Sequence, residues 1–269
     1  MTSLFEAIGA ALLTGEPRAK VKATRGLVRD WRRGRLEWDA PCPMPERPEW
    51  PETLELLPPN RMPKRGRGGS QRGRGGSERS RVALWHSLAH IEFVAIDLAL
   101  DMAGRFGGEL GRALVDDFLA VAADEAMHFA LIERKLRALG SHYGALPAHD
   151  GLWQAAHETR HDAAARLAIV PMVLEARGLD VTPATLERVR GSGDEAGARI
   201  LQRILDDEIR HVGFGAKHFR EASRTRDETP RELWQNLVRT HFRGGLKPPF
   251  NDSARLAGGL PLDWYAGIA

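Results

Sequence analysis

The sequence predicts an all-α fold: a four-helix bundle preceded by extra N-terminal helices and a proline-rich strap, and followed by a C-terminal helix with an aromatic tail. Three observations predict it. The composition is that of a helical globular protein, 42% apolar and 28% charged, with Ala, Leu, Arg and Glu well ahead of Tyr and Ile. The run Asp124-Glu125-x-x-His128 recurs as Asp207-Glu208-x-x-His211, and Glu92 and Glu175 each stand 33 positions ahead of the matching glutamate. Both runs lie among apolar residues at helical spacing, with Phe118, Leu119, Phe129 and Ile132 around the first and Leu201, Ile204 and Val212 around the second.

Residues 3–14 and 18–34 read as two helices separated at Glu16-Pro17, the first apolar and the second amphipathic and basic. Eight prolines between Pro41 and Pro63 argue for an extended strap, with Trp50, Leu54, Leu56 and Leu57 to bury. Residues 65–78 are a tandem RGRGGS duplication, too poor in apolar groups to offset its ordering entropy. The resulting divisions are 1–63, a flexible linker at 64–80, the bundle at 81–221, and a helix plus tail at 222–269.

Within the bundle, Leu84, Leu88, Ile91, Ala95, Leu98 and Met102 give a core stripe for a helix over 81–104, ended by Gly104, Gly107 and Gly108. A short connection makes the next helix, 109–139, antiparallel to it. The pattern from 152 to 177 is helical, with Pro171 expected to kink it before Glu175 and Gly178 to close it. Thr182-Pro183 reads as the cap and first position of a short helix over 183–190. A fourth long helix spans 194–221 with Asp194 as its cap, and 228–243 reads as one more. The tail, with Pro248, Pro249, Trp264 and Tyr265, is expected to pack as a surface seal.

A glutamate and a histidine three residues apart share one helix face, roughly 4.5 Å apart along the axis, and can grip one ion. The motif alone is weak, since 20 Glu and 10 His in 269 residues give roughly 0.7 chance occurrences, and three are found. The third, Glu158 with His161, reads as a solvated face. Matched spacing is what distinguishes the other two. One Glu on each of two helices with Glu-x-x-His on each of the others is the ligand set of ferritin-like di-metal carboxylate proteins. The predicted ligands are Glu92, Glu125, His128, Glu175, Glu208 and His211. They are expected to hold two iron ions, although Mn or an Fe/Mn pair suits the same donors. Four carboxylates balance two divalent ions, with Glu125 and Glu208 as the expected bridges. Asp124 and Asp207 are expected to accept the histidines' second N–H, with Arg210 balancing charge beside them. No catalytic residue separate from the ligands is predicted, and His90 reads as a hydrogen-bonded structural histidine.

The single cysteine, Cys42, excludes an intrachain disulfide and a thiolate metal site. No leader pattern and no run of 18 apolar residues are evident, so a cytoplasmic chain with no membrane partner is expected. Net charge is +3, and its excess is N-terminal: 17 Lys/Arg against 10 Asp/Glu through residue 81, then 22 against 26. The tract Arg65–Arg81 offers at most a weak nucleic-acid contact, lacking interleaved aromatics.

Through His90-Ile91-Glu92, Glu125-x-x-His128-Phe129, Glu175-Ala-Arg-Gly-Leu-Asp-Val-Thr-Pro183 and Glu208-Ile-Arg-His211-Val212, the chain resembles the ferritin-like family catalogued as domain of unknown function 455. The resemblance covers most of the chain and implies a ferritin-like fold and a di-metal centre; it supplies no substrate. The ligand spacing is more distantly similar to the tRNA hydroxylase and ubiquinone-biosynthesis hydroxylase branches of that superfamily. The expected function is an oxygen-activating oxidase or hydroxylase acting on an unknown small-molecule or RNA-derived substrate with an electron-donor protein. The alternatives are iron oxidation and storage, and a nucleic-acid adaptor working through the Arg/Gly tract.

Overall fold

A computed structural model describes residues 2–62 and 77–268. Most of the linker expected over 64–80, with the greater part of the RGRGGS repeat, lies outside the described residues. Among the described residues the chain is all-α apart from two two-residue strands, β1 (Thr2–Ser3) and β2 (Leu36–Glu37), paired in parallel.

Ser3 caps α1 (Leu4–Leu12) by accepting from the Glu6 amide, and Glu16 caps α2 (Pro17–Arg32) with Pro17 at its first position. The strap is tied down by backbone bonds, Glu49 to Leu12 and Leu57 to Ala148. It buries Leu54 and Met44 but leaves Leu56 exposed, against expectation.

The next helix, α3, is longer than predicted, running Glu78–Leu110. Ser77 caps it by accepting from the Ser80 amide. Gly104, Gly107 and Gly108 lie inside α3 rather than ending it. A Cβ at Gly104 would stand 2.4 Å from Met44 Sδ, and one at Gly107 2.5 Å from a Val115 methyl. These glycines are therefore places of close approach, not stops. Gly111, at φ 85°, makes the turn into α4 (Arg112–Ala138). By length and composition α3 could cross a membrane, with mean hydropathy 1.3 over its most apolar 18 residues, but 67% of that window is buried inside the protein. Its apolar residues run round the helix because other elements cover several faces. Ile91, expected in the core stripe, is exposed, while Trp85, Phe93, Ile96 and Leu100 are buried.

The segment read as one helix over 152–177 is three pieces: α5 (Gly151–Glu158), α6 (Ala163–Ile169) and a π-helical turn (Val170–Glu175). The break at 159–162 is stabilised from both sides. Asp162 accepts from the Ala164 and Ala165 amides, and the buried Arg166 donates to the Ala156 carbonyl, to Thr159 Oγ1 and to Asp101. Glu158 and His161 consequently do not share a helix. From the π turn the chain runs on as α7 (Ala176–Gly191), so Gly178 does not close it and Thr182-Pro183 starts nothing. Pro183 has no N–H for the Leu179 carbonyl, and the Asn251 side-chain amide donates to that oxygen instead, at 3.1 Å. A helix with an internal proline survives because the tail supplies the missing donor.

Asp194 caps α8 (Glu195–Ala222), as predicted, and Thr229 with Glu232 forms a capping box for α9 (Pro230–His241). Two short helices, α10 (Asp252–Ala257) and α11 (Leu262–Tyr265), fold the tail back onto α7, α8 and α9. α3 packs along α4, α7 packs along α8, and α4 joins the pairs through α8.

The π turn depends on a glycine across from it. A Cβ on Gly215 of α8 would stand 2.4 Å from Pro171 Cβ. Gly215→Ala is expected to lower stability by about 1–3 kcal/mol through overpacking. It should also turn Glu175, four residues on, out of position. Denaturant unfolding reads the first effect and metal stoichiometry the second. A variant as stable as the parent would show that Pro171 can move freely.

Candidate metal centre

Of the six predicted ligands, Glu92 from α3, Glu125 and His128 from α4 and Glu208 from α8 come together as one buried group, His211 from α8 touches Glu125 and Glu208, and Glu175 at the end of the π turn lines the same cavity. Helical geometry aims Glu125 with His128, and Glu208 with His211, from single faces. The π turn is a wider coil of a kind frequent at functional sites. Here it carries Glu175.

Ligand atoms of Glu92, Glu125, His128 and Glu208 all lie within 4.8 Å of one another. His128 Nδ1 is 3.2 Å from Glu92 Oε2 and 3.4 Å from Glu125 Oε2. His211 Nδ1 is 2.9 Å from Glu125 Oε1 and 3.7 Å from Glu208 Oε2. Glu125 thus stands between the imidazoles and turns one oxygen to each. The contact at 2.9 Å is short enough for a hydrogen bond but misdirected, and both of its atoms go unpaired. Both Glu125 oxygens, Glu175 Oε2, Glu208 Oε2 and His211 Nδ1 are buried without a hydrogen-bond partner. Orphaned acceptors of this kind are costly unless they serve a ligand or function. Mixed carboxylate and imidazole donors fit iron or manganese.

The outer contacts follow a rule the spacing did not reveal. His128 Nε2 meets Asp207 Oδ2 at 3.1 Å and His211 Nε2 meets Asp124 Oδ2 at 3.3 Å. Each aspartate serves the other motif's histidine, and so locks α4 to α8 while leaving both Nδ1 atoms facing inward. Arg210 reaches Asp124 at 2.5 Å and Asp207 at 3.5 Å, and Arg203, overlooked in the sequence, reaches Asp207 at 2.5 Å. The i,i+4 spacing of Arg203 and Asp207 was the available signal.

Burial and then the charge of Glu125 push the Glu92 carboxyl well up, and burial with the charge of Glu208 pushes Glu175 up to about 8. Burial and Glu125 also raise Glu208. Burial opposes ionisation of Glu125 too, but contacts from His128 and His211 hold it well below the usual range. Burial would lower His128, yet Glu125 and Glu92 raise it to about 11, and Asp124 with Glu125 raises His211 likewise.

Beside the cluster lies a cavity of about 420 Å³ with Glu92, Glu125, Glu175 and Glu208 in its lining and apolar walls that include Leu98, Leu201 and Ile204. The tail is more than a surface seal, because Phe242, Leu246 and Phe250 form one wall. Sequence spacing could not place these residues, which arrive from far along the chain. His90 is structural, as expected, with Nδ1 2.9 Å from Tyr143 Oη and Nε2 3.0 Å from the His149 carbonyl. His86 and His218 are also paired away from the centre.

The model of a family described as "Protein of unknown function (DUF455)" matches residues 13–266. An "Uncharacterized protein" of Haemophilus influenzae (strain ATCC 51907 / DSM 11121 / KW20 / Rd) is 36% identical over 279 residues, covering 98% of this chain and 94% of its own length. No solved structure matches the chain.

Proposed function

We propose that this chain, which belongs to the DUF455 family, is a ferritin-like di-metal carboxylate protein, an oxidase or hydroxylase of a small organic substrate bound in the adjoining cavity. The observation that carries this reading is the buried group of Glu92, Glu125, His128 and Glu208, whose ligand atoms lie within 4.8 Å of one another and whose Glu125 and Glu208 oxygens lack hydrogen-bond partners. Glu92 with His128 would hold one ion and Glu175 with His211 the other, Glu125 and Glu208 lying between. Reduced iron in such a site supplies dioxygen activation. Asp207 and Asp124 fix the imidazole orientation by accepting the Nε2 protons, which keeps each Nδ1 lone pair directed inward. The apolar walls exclude water beside the glutamates and leave room for an organic molecule, which favours an enzyme over an iron store.

The test is metal analysis of protein from iron- and manganese-supplemented cells, followed by anaerobic Fe(II) loading and a spectrum after oxygen is admitted. About two metals per chain and an oxygen-dependent absorption are expected. No metal under either regime would overturn the reading.

Metal affinity is also expected to rise with pH. Both histidines carry raised pKa values and Glu175 sits at about 8, so bound protons must leave when a cation enters. Each released proton steepens the dependence by about tenfold per pH unit. Chelator competition between pH 6 and 8 reads the slope, and a flat profile would mean that these groups are not displaced.

A further inference from the structure

The cavity beside the centre has two chemically different ends. The acidic side chains in its lining are the four glutamates of the centre, of which Glu92, Glu125 and Glu208 are buried and Glu175 is half-buried; every other charged side chain in it is a cation, namely Arg177, Arg243, Lys247 and Arg255. Arg243 and Lys247 are exposed and mark the mouth. Gly244 at φ 107° and Gly245 at φ 66° turn the chain between them, so both line the same opening. Ile91 and Val181, also in the lining, are large apolar residues left 43% and 40% exposed.

Part of this positive charge is uncommitted. Arg177 donates to the carbonyls of Lys247 and Pro249, which holds the tail against α7. Arg255 is 1% exposed and donates through Nε and Nη2 to Asp180, but its Nη1 has no partner. Lys247 makes no ion pair among the described residues, and Arg243 has only a long contact of 3.6 Å with Glu158. A buried guanidinium nitrogen without an acceptor, an unpaired Lys247 and an Arg243 held only by a long contact call for an anion. An apolar chamber of about 420 Å³ between them and the glutamates calls for a hydrocarbon body.

We propose that the cavity binds an amphipathic monoanion, its apolar body toward the glutamates and its carboxylate or phosphate head held at the mouth by Lys247 and Arg243, with Arg255 behind them. This names the substrate class of the centre and rests on the di-metal reading for its catalytic meaning, while binding is measured separately. The orientation follows from charge. With two divalent ions the four glutamates are neutralised, so the cationic mouth is the stronger attractor for the head.

The experiment is calorimetric titration of the metal-loaded full chain with decanoate, decyl phosphate, decanol and decylammonium, with metal content read on the same samples. At least one of the two anions is expected to bind about tenfold or more tightly than decanol, and decylammonium most weakly. The better anion identifies the head group. The double variant Arg243→Glu/Lys247→Glu, at exposed positions, is expected to remove the anion preference and leave decanol unchanged. Equal affinity for decanol and both anions, or no binding of any probe, overturns the inference. So does an anion preference that the double variant leaves intact, since the head would then sit on the centre. Anion-selective binding to a chain that takes up no metal would uphold the binding site and remove the di-metal reading; two metals per chain without anion preference would do the reverse.

Discussion

Glu125→Ala is expected to take bound metal from about two ions per chain to near none, the largest loss available from a single substitution in the centre. Glu125 is fully buried and is the residue that faces both imidazoles, Oε1 toward His211 and Oε2 toward His128. Removing it dismantles both halves together. In the proposed assignment Glu92 and Glu175 serve different ions, so Glu92→Ala and Glu175→Ala are each expected to retain about one ion. Glu125→Gln keeps the shape and removes the charge, and it should fail nearly as fully as alanine if ligation is the role. Elemental analysis beside circular dichroism separates lost ligation from lost fold. Two ions retained in a folded Glu125→Ala would place the centre elsewhere.

What could be read from the sequence, and what could not, divides on a physical line. The helices, and the meeting of Glu92, Glu125, His128 and Glu208 in one buried group, rest on local periodicity and a repeated interval, and those survive in one dimension. Gly104 and Gly107 misled because a glycine that ends a helix and one that admits a neighbouring side chain look alike until Met44 and Val115 are in place. Pro183 misled because its lost hydrogen bond is made good by Asn251, 68 positions away. The aspartates were legible, but which histidine each serves was not, since the pairing of Asp207 with His128 and of Asp124 with His211 is set by the packing of α4 on α8. The cationic mouth of the cavity left no local signal, because Arg177, Arg243, Lys247 and Arg255 meet only when the tail folds back on α7.

Lys20→Met is expected to destabilise the protein by about 3–5 kcal/mol, the largest effect on stability from one residue outside the centre. Lys20 on α2 is completely buried, and its ammonium group donates to Asp97 Oδ1 on α3 and to the Leu12 carbonyl. Asp97 Oδ2 accepts from Trp50 Nε1 at 2.8 Å, so the pair joins α2, the strap and α3. Methionine fills the volume but leaves Asp97 in a dry site with a single neutral donor. Burial already raises the Asp97 carboxyl to about 6 against the attraction of Lys20, above its ordinary value of 3.8. A folded pKa above the unfolded one means that this group contributes most below the unfolded value and loses that contribution as pH rises through about 6. Without Lys20 the carboxyl holds its proton to still higher pH, so the variant's deficit should be smaller at pH 5 than at pH 8. The double variant Lys20→Met/Asp97→Leu should recover most of the loss, because two apolar side chains can replace a buried ion pair whereas one stranded charge cannot be tolerated. Urea unfolding of the parent, both singles and the double at the two pH values gives the coupling directly. A Lys20→Met protein within about 0.5 kcal/mol of the parent at pH 8 would mean that solvent reaches Asp97. Asp97 lies five residues beyond Glu92 on α3, so the ion pair that secures the N-terminal helices also sets the position of the helix from which Glu92 enters the centre.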